Sequence, residues 1–398
     1  MKRFHTPFVM LVVMTVAMQL SFASWWTLAK NFAVDGIGFT GREIGFQESI
    51  REIPGFLAFL AVYLLWFMRE RTLALGALVL LGGGVAATGY FPSALGFYLT
   101  TFVMSVGFHY FETMYQSLSL QWLPRERAPA LFGQLLAWGA AAQLLAYGLI
   151  FIAWRTLDLS FETTFLVAGL ATVALVGWLA TFPQFPEGVA QNKELVLRRR
   201  YWLYYALTFM SGARRQIFTV FAGFLMVERF GYDVEHVALL FLVNCLFNMA
   251  FAGRIGALIG RVGERRALVF EYVGLIGVFA AYAFVSNATI AGALYVIDHA
   301  FFALAIAIKT YFQKIGDPAD MAPTAGVAFT INHIAAVFIP AVFGLVWLVS
   351  PAAVFLAGSA MAAGSLVLAL LIPDRPDVGA ETRMGALRAV GARLAGAG

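Results

Sequence analysis

The chain has 398 residues, of which 61% are apolar and only 12% charged. Ordinary globular proteins carry roughly 25% charged residues, so too few ionic groups are present to cover a water-facing surface, and a mean hydropathy of +0.81 agrees. The net charge of +5 does not point to nucleic acid, because the basic residues sit in short clusters between apolar runs, where membrane orientation accounts for them. A soluble fold is excluded, and an all-α integral membrane protein is predicted.

A helical bilayer crossing takes roughly 20 apolar residues. In chain order the sequence predicts spans at 8–33, 43–68, 72–91, 94–122, 130–154 and 163–183, then at 201–229, 234–259, 267–286, 289–315, 321–349 and 352–372. The first run follows Lys2 and Arg3 and passes Ser21-Phe22-Ala23, which resembles a leader cleavage site. It continues apolar to Val34, too long for a leader, and is read as an uncleaved span. The twelve spans fall into an N-terminal six-helix bundle at 1–183 and a C-terminal one at 201–372, joined by a polar cytoplasmic linker at 184–200 and followed by a cytoplasmic tail at 373–398. The single Cys245 rules out an internal disulfide or a cysteine metal cage and reads as a buried structural thiol.

Loop charge sets the orientation. One set of alternating connections holds Lys2 and Arg3; Arg69 and Arg71; Arg125 and Arg127; Lys193, Arg198, Arg199 and Arg200; Arg261, Arg265 and Arg266; Lys314; and Arg375, Arg383, Arg388 and Arg393. These are eighteen of the 27 basic residues, whereas the opposite set holds only Arg42, Arg155 and Arg229. The positive-inside bias therefore predicts both termini in the cytoplasm, in a bacterial inner membrane.

After span 8 the chain reads Gly256-Ala257-Leu258-Ile259-Gly260-Arg261-Val262-Gly263-Glu264-Arg265-Arg266. This resembles the loop signature of the major facilitator superfamily, G-x-L-a-D-r-x-G-r-r, with Gly260 where the family usually has Asp. The corresponding place after span 2, Met68-Arg69-Glu70-Arg71-Thr72, is a worn version. The resemblance names no subfamily. It implies a secondary transporter whose two six-helix halves rock about a central cavity by alternating access. It also assigns Gly256, Gly260, Arg261, Gly263, Arg265 and Arg266 to conformational gating. In that family the first, fourth, seventh and tenth helices line the cavity, and every third helix faces lipid. Spans 3, 6 and 12 hold no interior charge, and span 9 has only Glu271, one turn from the basic loop. Spans 4, 7 and 10 carry His109 and Glu112, Arg214 and Arg215, and Asp298, His299 and Lys309. A charge facing lipid is costly, so this segregation indicates spans that enclose water or substrate.

Helical spacing collects the candidates. His109, Glu112 and Gln116 share one face of span 4; Asn244 and Asn248 are one turn apart on span 8; Asn332 and His333 lie mid-span before Pro340. Arg214 or Arg215 is expected to bind an anionic group of the substrate, since guanidinium matches carboxylate or phosphate, and the alternative is internal pairing with Glu112 and Asp298. His109, Gln116, Asn244, Asn248, His299, Asn332 and His333 are the further substrate-binding candidates. Glu112 and Asp298 are the proton-coupling candidates. Glu48, Arg51 and Glu52, with Lys30 near them, read as an extracellular gate or a helix-surface ion pair. Gly82, Gly83 and Gly84 suggest close helix packing, and Trp25, Trp26, Trp122 and Trp154 suggest interfacial anchors.

The predicted function is secondary active transport of a small anionic or zwitterionic solute by alternating access, coupled to protons, in a monomer with no cofactor. No G-x-x-x-x-G-K-[ST] loop is present for ATP-driven transport. Span 5 lacks the G-x-x-x-G-P-x-x-G-G pattern that drug/proton antiporters of the superfamily often carry. A divalent-metal carrier using His109, Glu112, Asp298 and His299 is the alternative within transport. An enzyme acting on lipid is the alternative outside it, disfavoured because the candidate groups lie at mid-depth rather than at headgroups.

Overall fold

A computed structural model describes residues 5–123, 128–157, 159–185, 197–317 and 320–383. Lys2, Arg3, Arg125, Arg127, Lys193, Arg388 and Arg393 lie outside the described residues, as do most of the linker and the end of the tail. The described chain is helical throughout: α1 Pro7–Asn31, α2 Gly41–Phe56, α3 Ala61–Leu64, α4 Glu70–Thr88, α5 Ala94–Trp122, α6 Ala128–Thr156, α7 Phe161–Ala180, α8 Trp202–Gln216, α9 Gly223–Glu228, α10 Val234–Val262, α11 Glu264–Phe284, α12 Ala288–Phe302, α13 Ile306–Ile315, α14 Met321–Val349 and α15 Pro351–Leu370. With no water in the hydrocarbon, helices satisfy every backbone group within the segment.

Helix starts follow local chemistry. Thr6, Ser93, Ser160, Asn287 and Ser350 each accept a hydrogen bond from a backbone N–H in the first turn of the helix they precede, and Pro7 and Pro351 occupy first-turn positions that need no donor. Gly263, between α10 and α11, has φ +86°, a left-handed conformation that β-carbons resist.

Ten helical stretches among the described residues are long and apolar enough to cross a membrane. Absent from those ten are the second and seventh expected spans. The second is interrupted: α2 contains Pro54, ends at Phe56, and resumes through a short 3-10 turn into α3. The seventh runs as α8, a wide turn over Ile217–Ala222, and α9. These two segments bear Glu48, Arg51 and Glu52, and Arg214 and Arg215, so their low hydropathy reflects the charges they carry inward.

The chain divides into two compact units, one of 1–191 with 227–246 and the other of 192–226 with 247–398. In the first, small residues let helices meet backbone to backbone. A β-carbon on Gly169 of α7 would lie 2.2 Å from the carbonyl oxygen of Gly82 on α4, and one on Gly107 of α5 would lie 2.3 Å from the Leu81 nitrogen. A β-carbon on Gly84 would lie 2.7 Å from the Met104 nitrogen, whereas Gly83 has open space. Membrane helices associate largely through such close packing. Trp25 is fully buried beside Phe97 and so is a core residue, correcting its reading as an interfacial anchor. Cys245 is buried, with its Sγ 3.9 Å from the Ala140 carbonyl.

In the second unit α11 packs along α15 and α8 along α14 and α15. Ser359 on α15 donates to the Ile276 carbonyl of α11, and Phe221, Phe224 and Phe355 close around Trp347.

Candidate functional site

In the first unit, Lys30 from α1 and Glu48, Arg51 and Glu52 from α2 form one buried ionic network. Lys30 pairs with Glu48; Arg51 pairs with Glu48 at 2.7 Å and with Glu52. All four side chains are at most 8% exposed, so they are an internal network and not a helix-surface pair. Two bases against two acids make it neutral, which is the condition for holding charges away from water. Both cations also lie over the Trp26 ring, Arg51 at 4.9 Å and Lys30 at 5.2 Å from its centroid. Ser105 of α5 donates to the Arg51 carbonyl, His109 Nδ1 stands 3.0 Å from Ser105, and a ring nitrogen of His109 is within 4.8 Å of a Glu52 carboxylate oxygen. Further along α5, Glu112 is half-buried and Gln116 exposed, so exposure rises along the face the three residues share.

In the second unit the adjacent arginines separate by role, because neighbours on a helix point about 100° apart. Arg214 is 1% exposed and pairs with Glu271 of α11, Nη1 to Oε1 at 3.3 Å, with its guanidinium 4.3 Å from the Tyr272 ring centroid. Arg215 is half-buried and donates from Nη2 to Asn332 Oδ1 of α14 at 2.8 Å. Gly212 allows this approach, since a β-carbon there would lie 2.9 Å from the Asn332 carbonyl oxygen. The acid that pairs with Arg214 is therefore Glu271, and the pair lies inside one unit.

Asp298 of α12 is 1% exposed, and neither of its carboxylate oxygens has a hydrogen-bond partner among the described residues. Glu271 Oε2, Arg214 Nε and Arg214 Nη2 are likewise buried without a hydrogen bond among the described residues. Arg214, Glu271 and Asp298 thus put one buried base and two buried acids on α8, α11 and α12. His299, next on α12, is half-buried with no hydrogen bond to its Nε2 among the described residues, and His333 Nδ1 is 2.9 Å from the Phe329 carbonyl. Asn244 is buried with no hydrogen bond to its Oδ1 among the described residues, and Asn248 is half-buried.

Glu271 is not among the sequence candidates, because it lies one turn from the basic loop on a span expected to face lipid. It is fully buried, so span 9 presents one charged face inward.

The two loop motifs make matching contacts. After α3, Arg71 donates to Gln184 Oε1 at 2.7 Å and to the Leu179 and Phe182 carbonyls at the end of α7 at 3.0 and 2.8 Å. Basic groups are favoured at such helix C-termini. Arg265 meets Asp374 beyond the end of α15 at 2.8 Å, and the adjacent Glu264 meets Lys314 at 2.7 Å. Gly256, Gly260, Arg261 and Arg266 are exposed. At the start of the second unit, Arg198 and Arg200 grip Asp320 at 3.0 and 3.4 Å, and Tyr201 donates to it at 3.0 Å.

The sequence pattern of the Major Facilitator Superfamily matches residues 7–340. No curated protein sequence matches the chain. Among solved structures, a point mutant of the nucleoside transporter NupG is 15% identical, with a TM-score of 0.76 over 91% of this chain and 98% of its own. A POT family transporter in complex with a thioalcohol-conjugated peptide is 12% identical, TM-score 0.71, over 91% and 94%. A bacterial homolog of the human lysosomal transporter Spinster, inward-facing and occupied, is 12% identical, TM-score 0.67, over 97% and 96%. At these identities the likeness is one of fold.

Proposed function

Because the chain belongs to the Major Facilitator Superfamily and is a multi-pass membrane secondary transporter, we propose that it moves a small anionic or zwitterionic solute by alternating access, coupled to protons. The observation that carries this reading is the imbalance of the Arg214–Glu271–Asp298 cluster. Fully ionised, these three buried groups would hold a net negative charge away from water, which costs far more than binding one proton. One proton is therefore held between the two carboxylates, and it resides on Asp298 while Arg214 engages Glu271. If Arg214 moves toward Asp298, the proton is free to leave. Such coupled carboxylates titrate as a pair. Glu112, half-buried on α5, is the first unit's candidate for the same role.

Arg215 is the candidate for the solute's anionic group. It is half-buried, and its fork-shaped donor set suits carboxylate or phosphate. Asn332 orients it, while Arg214 is committed to Glu271. His299, His333, Asn244, Asn248, His109 and Gln116 are the remaining proposed solute contacts. Gly256 to Arg266 and the Lys30–Glu48–Arg51–Glu52 network are the proposed conformational elements. The loop charges support both termini being cytoplasmic, and a monomer in a bacterial inner membrane is proposed with that orientation.

The test is transport in proteoliposomes with radiolabelled organic acids and amino acids as probes, under an imposed pH gradient. The wild type accumulates one of these solutes, whereas Asp298→Asn retains exchange and loses gradient-driven accumulation. Accumulation by Asp298→Asn equal to wild type removes the coupling assignment.

A further inference from the structure

The first unit contains a second constellation, on the side of α1 away from its core face. Phe22 and Trp26 lie one turn apart on α1, with ring centroids 5.8 Å apart and planes 18° apart. Phe108 of α5 stacks on Phe22 at 4.3 Å, again at 18°. All three rings are half-buried, whereas Ala17, Ser21, Trp25 and Leu28 supply the buried face of the same helix. One turn before Phe22, Gln19 accepts a hydrogen bond at 2.9 Å from Gln143 Nε2 of α6, and both amides are half-buried.

Two amides joined by one hydrogen bond leave one N–H side and one C=O side for a further partner, whichever way each is flipped. In hydrocarbon that unspent pair would be costly, so this stripe is not a lipid face. Nor does it offer charge, because Lys30 and Arg51, which lie over Trp26, are balanced by Glu48 and Glu52.

We propose that Gln19, Phe22 and Trp26 of α1, Phe108 of α5 and Gln143 of α6 form a subsite for a flat heteroaromatic ring with a lactam edge. The ring would pack on the aromatic shelf, and its adjacent N–H and C=O would meet the acceptor and donor left by the two glutamines. Stacked aromatics supply affinity for any π-face, and the amide pair supplies selectivity, since analogues that leave such groups unpaired are rejected. The proposal rests on the transporter reading and adds to it a ring class for the solute. A sugar would need several separate hydroxyl partners, where this stripe holds a single donor–acceptor pair beside three rings.

The test uses the purified full-length chain, with unfolding temperature read against graded uracil or hypoxanthine, and with 1,3-dimethyluracil and glucose as controls. Ligand binding to the native state raises that temperature in a saturable way. Uracil or hypoxanthine is expected to stabilise the wild type. Dimethyluracil should need at least a tenfold higher concentration, and glucose should have no effect. Gln143→Leu, which keeps side-chain volume, and Phe22→Leu, which removes the ring but stays apolar, should lose the shift while unfolding near the wild-type temperature without ligand. If either variant is destabilised, the comparison of uracil with its dimethyl analogue on the wild type decides alone. No saturable shift with either base, an equal shift with dimethyluracil, or a shift with glucose alone would overturn the subsite. Gradient-driven accumulation of a solute lacking such a ring, by a protein that ignores both bases, would sink this subsite and leave the transporter reading standing.

Discussion

Arg214 donates from Nη1 to Glu271 Oε1 across 3.3 Å, with both side chains at most 1% exposed. The two come from different helices of one unit, and Asp298 is a second buried acid of that unit. Losing one acid still leaves Arg214 a counter-ion; losing both leaves it buried and unpaired. Glu271→Gln and Asp298→Asn should each lower stability modestly, whereas the double variant should lose about 3 to 5 kcal/mol, the usual cost of stranding a buried charge. Unfolding of the four proteins in lipid–detergent micelles checks this, and strictly additive losses would contradict it.

Arg215 should behave differently from its neighbour. Arg215→Gln is expected to fold, unfold near the wild-type temperature and lose transport of anionic probes. Arg214→Gln should instead lose folded yield, because Glu271 and Asp298 would be left as two buried acids without a base. Size-exclusion profiles with proteoliposome uptake separate the two outcomes. Full uptake by Arg215→Gln would remove it from the solute's path.

Helix packing in the first unit gives a sharp contrast between neighbouring glycines. Gly169→Leu places side-chain atoms into the Gly82 backbone and should abolish folded protein. Gly83→Ala, with nothing within 4 Å, should be neutral or stabilising by up to about 1 kcal/mol, the helix-propensity difference between the residues. Unfolding temperature measures both.

Outside the spans, the hydrogen bond from Arg198 holds the Asp320 carboxyl below the usual carboxylate range, with further help from Tyr201 and Arg200. A group whose folded pKa is depressed contributes stability above its unfolded pKa, about 3.9, and loses it as pH falls through the folded value. Asp320→Asn should therefore lower the unfolding temperature by a constant amount from pH 8 down to about pH 5, with the difference shrinking below pH 4. A difference that grows on acidification would contradict the assignment.

Much of this architecture is legible in the sequence because membrane segments announce themselves by composition. The loop signature at Gly256 to Arg266 and the concentration of charge in spans 4, 7 and 10 also needed no coordinates. Rotation about the helix axis was harder to read. Arg214 and Arg215 are adjacent in sequence yet differ in burial and partner, because one residue is 100° of turn. Glu271 lies one turn from the basic loop, and that position along the helix does not show which face it presents; it is buried. Trp25 and Trp26 show the same limit, one in the core and the other over two cations. The aromatic and amide stripe was invisible for a related reason: its members come from three helices and carry no charge to mark them.

The central claim, that the buried cluster holds one proton in its resting state, is tested most directly without any solute. Infrared difference spectroscopy of the purified protein at neutral pH reads the C=O stretch of protonated carboxyl groups. The wild type should show a carboxylic acid band that shifts in heavy water and disappears in Asp298→Asn. Identical bands in the wild type and Asp298→Asn would contradict the account.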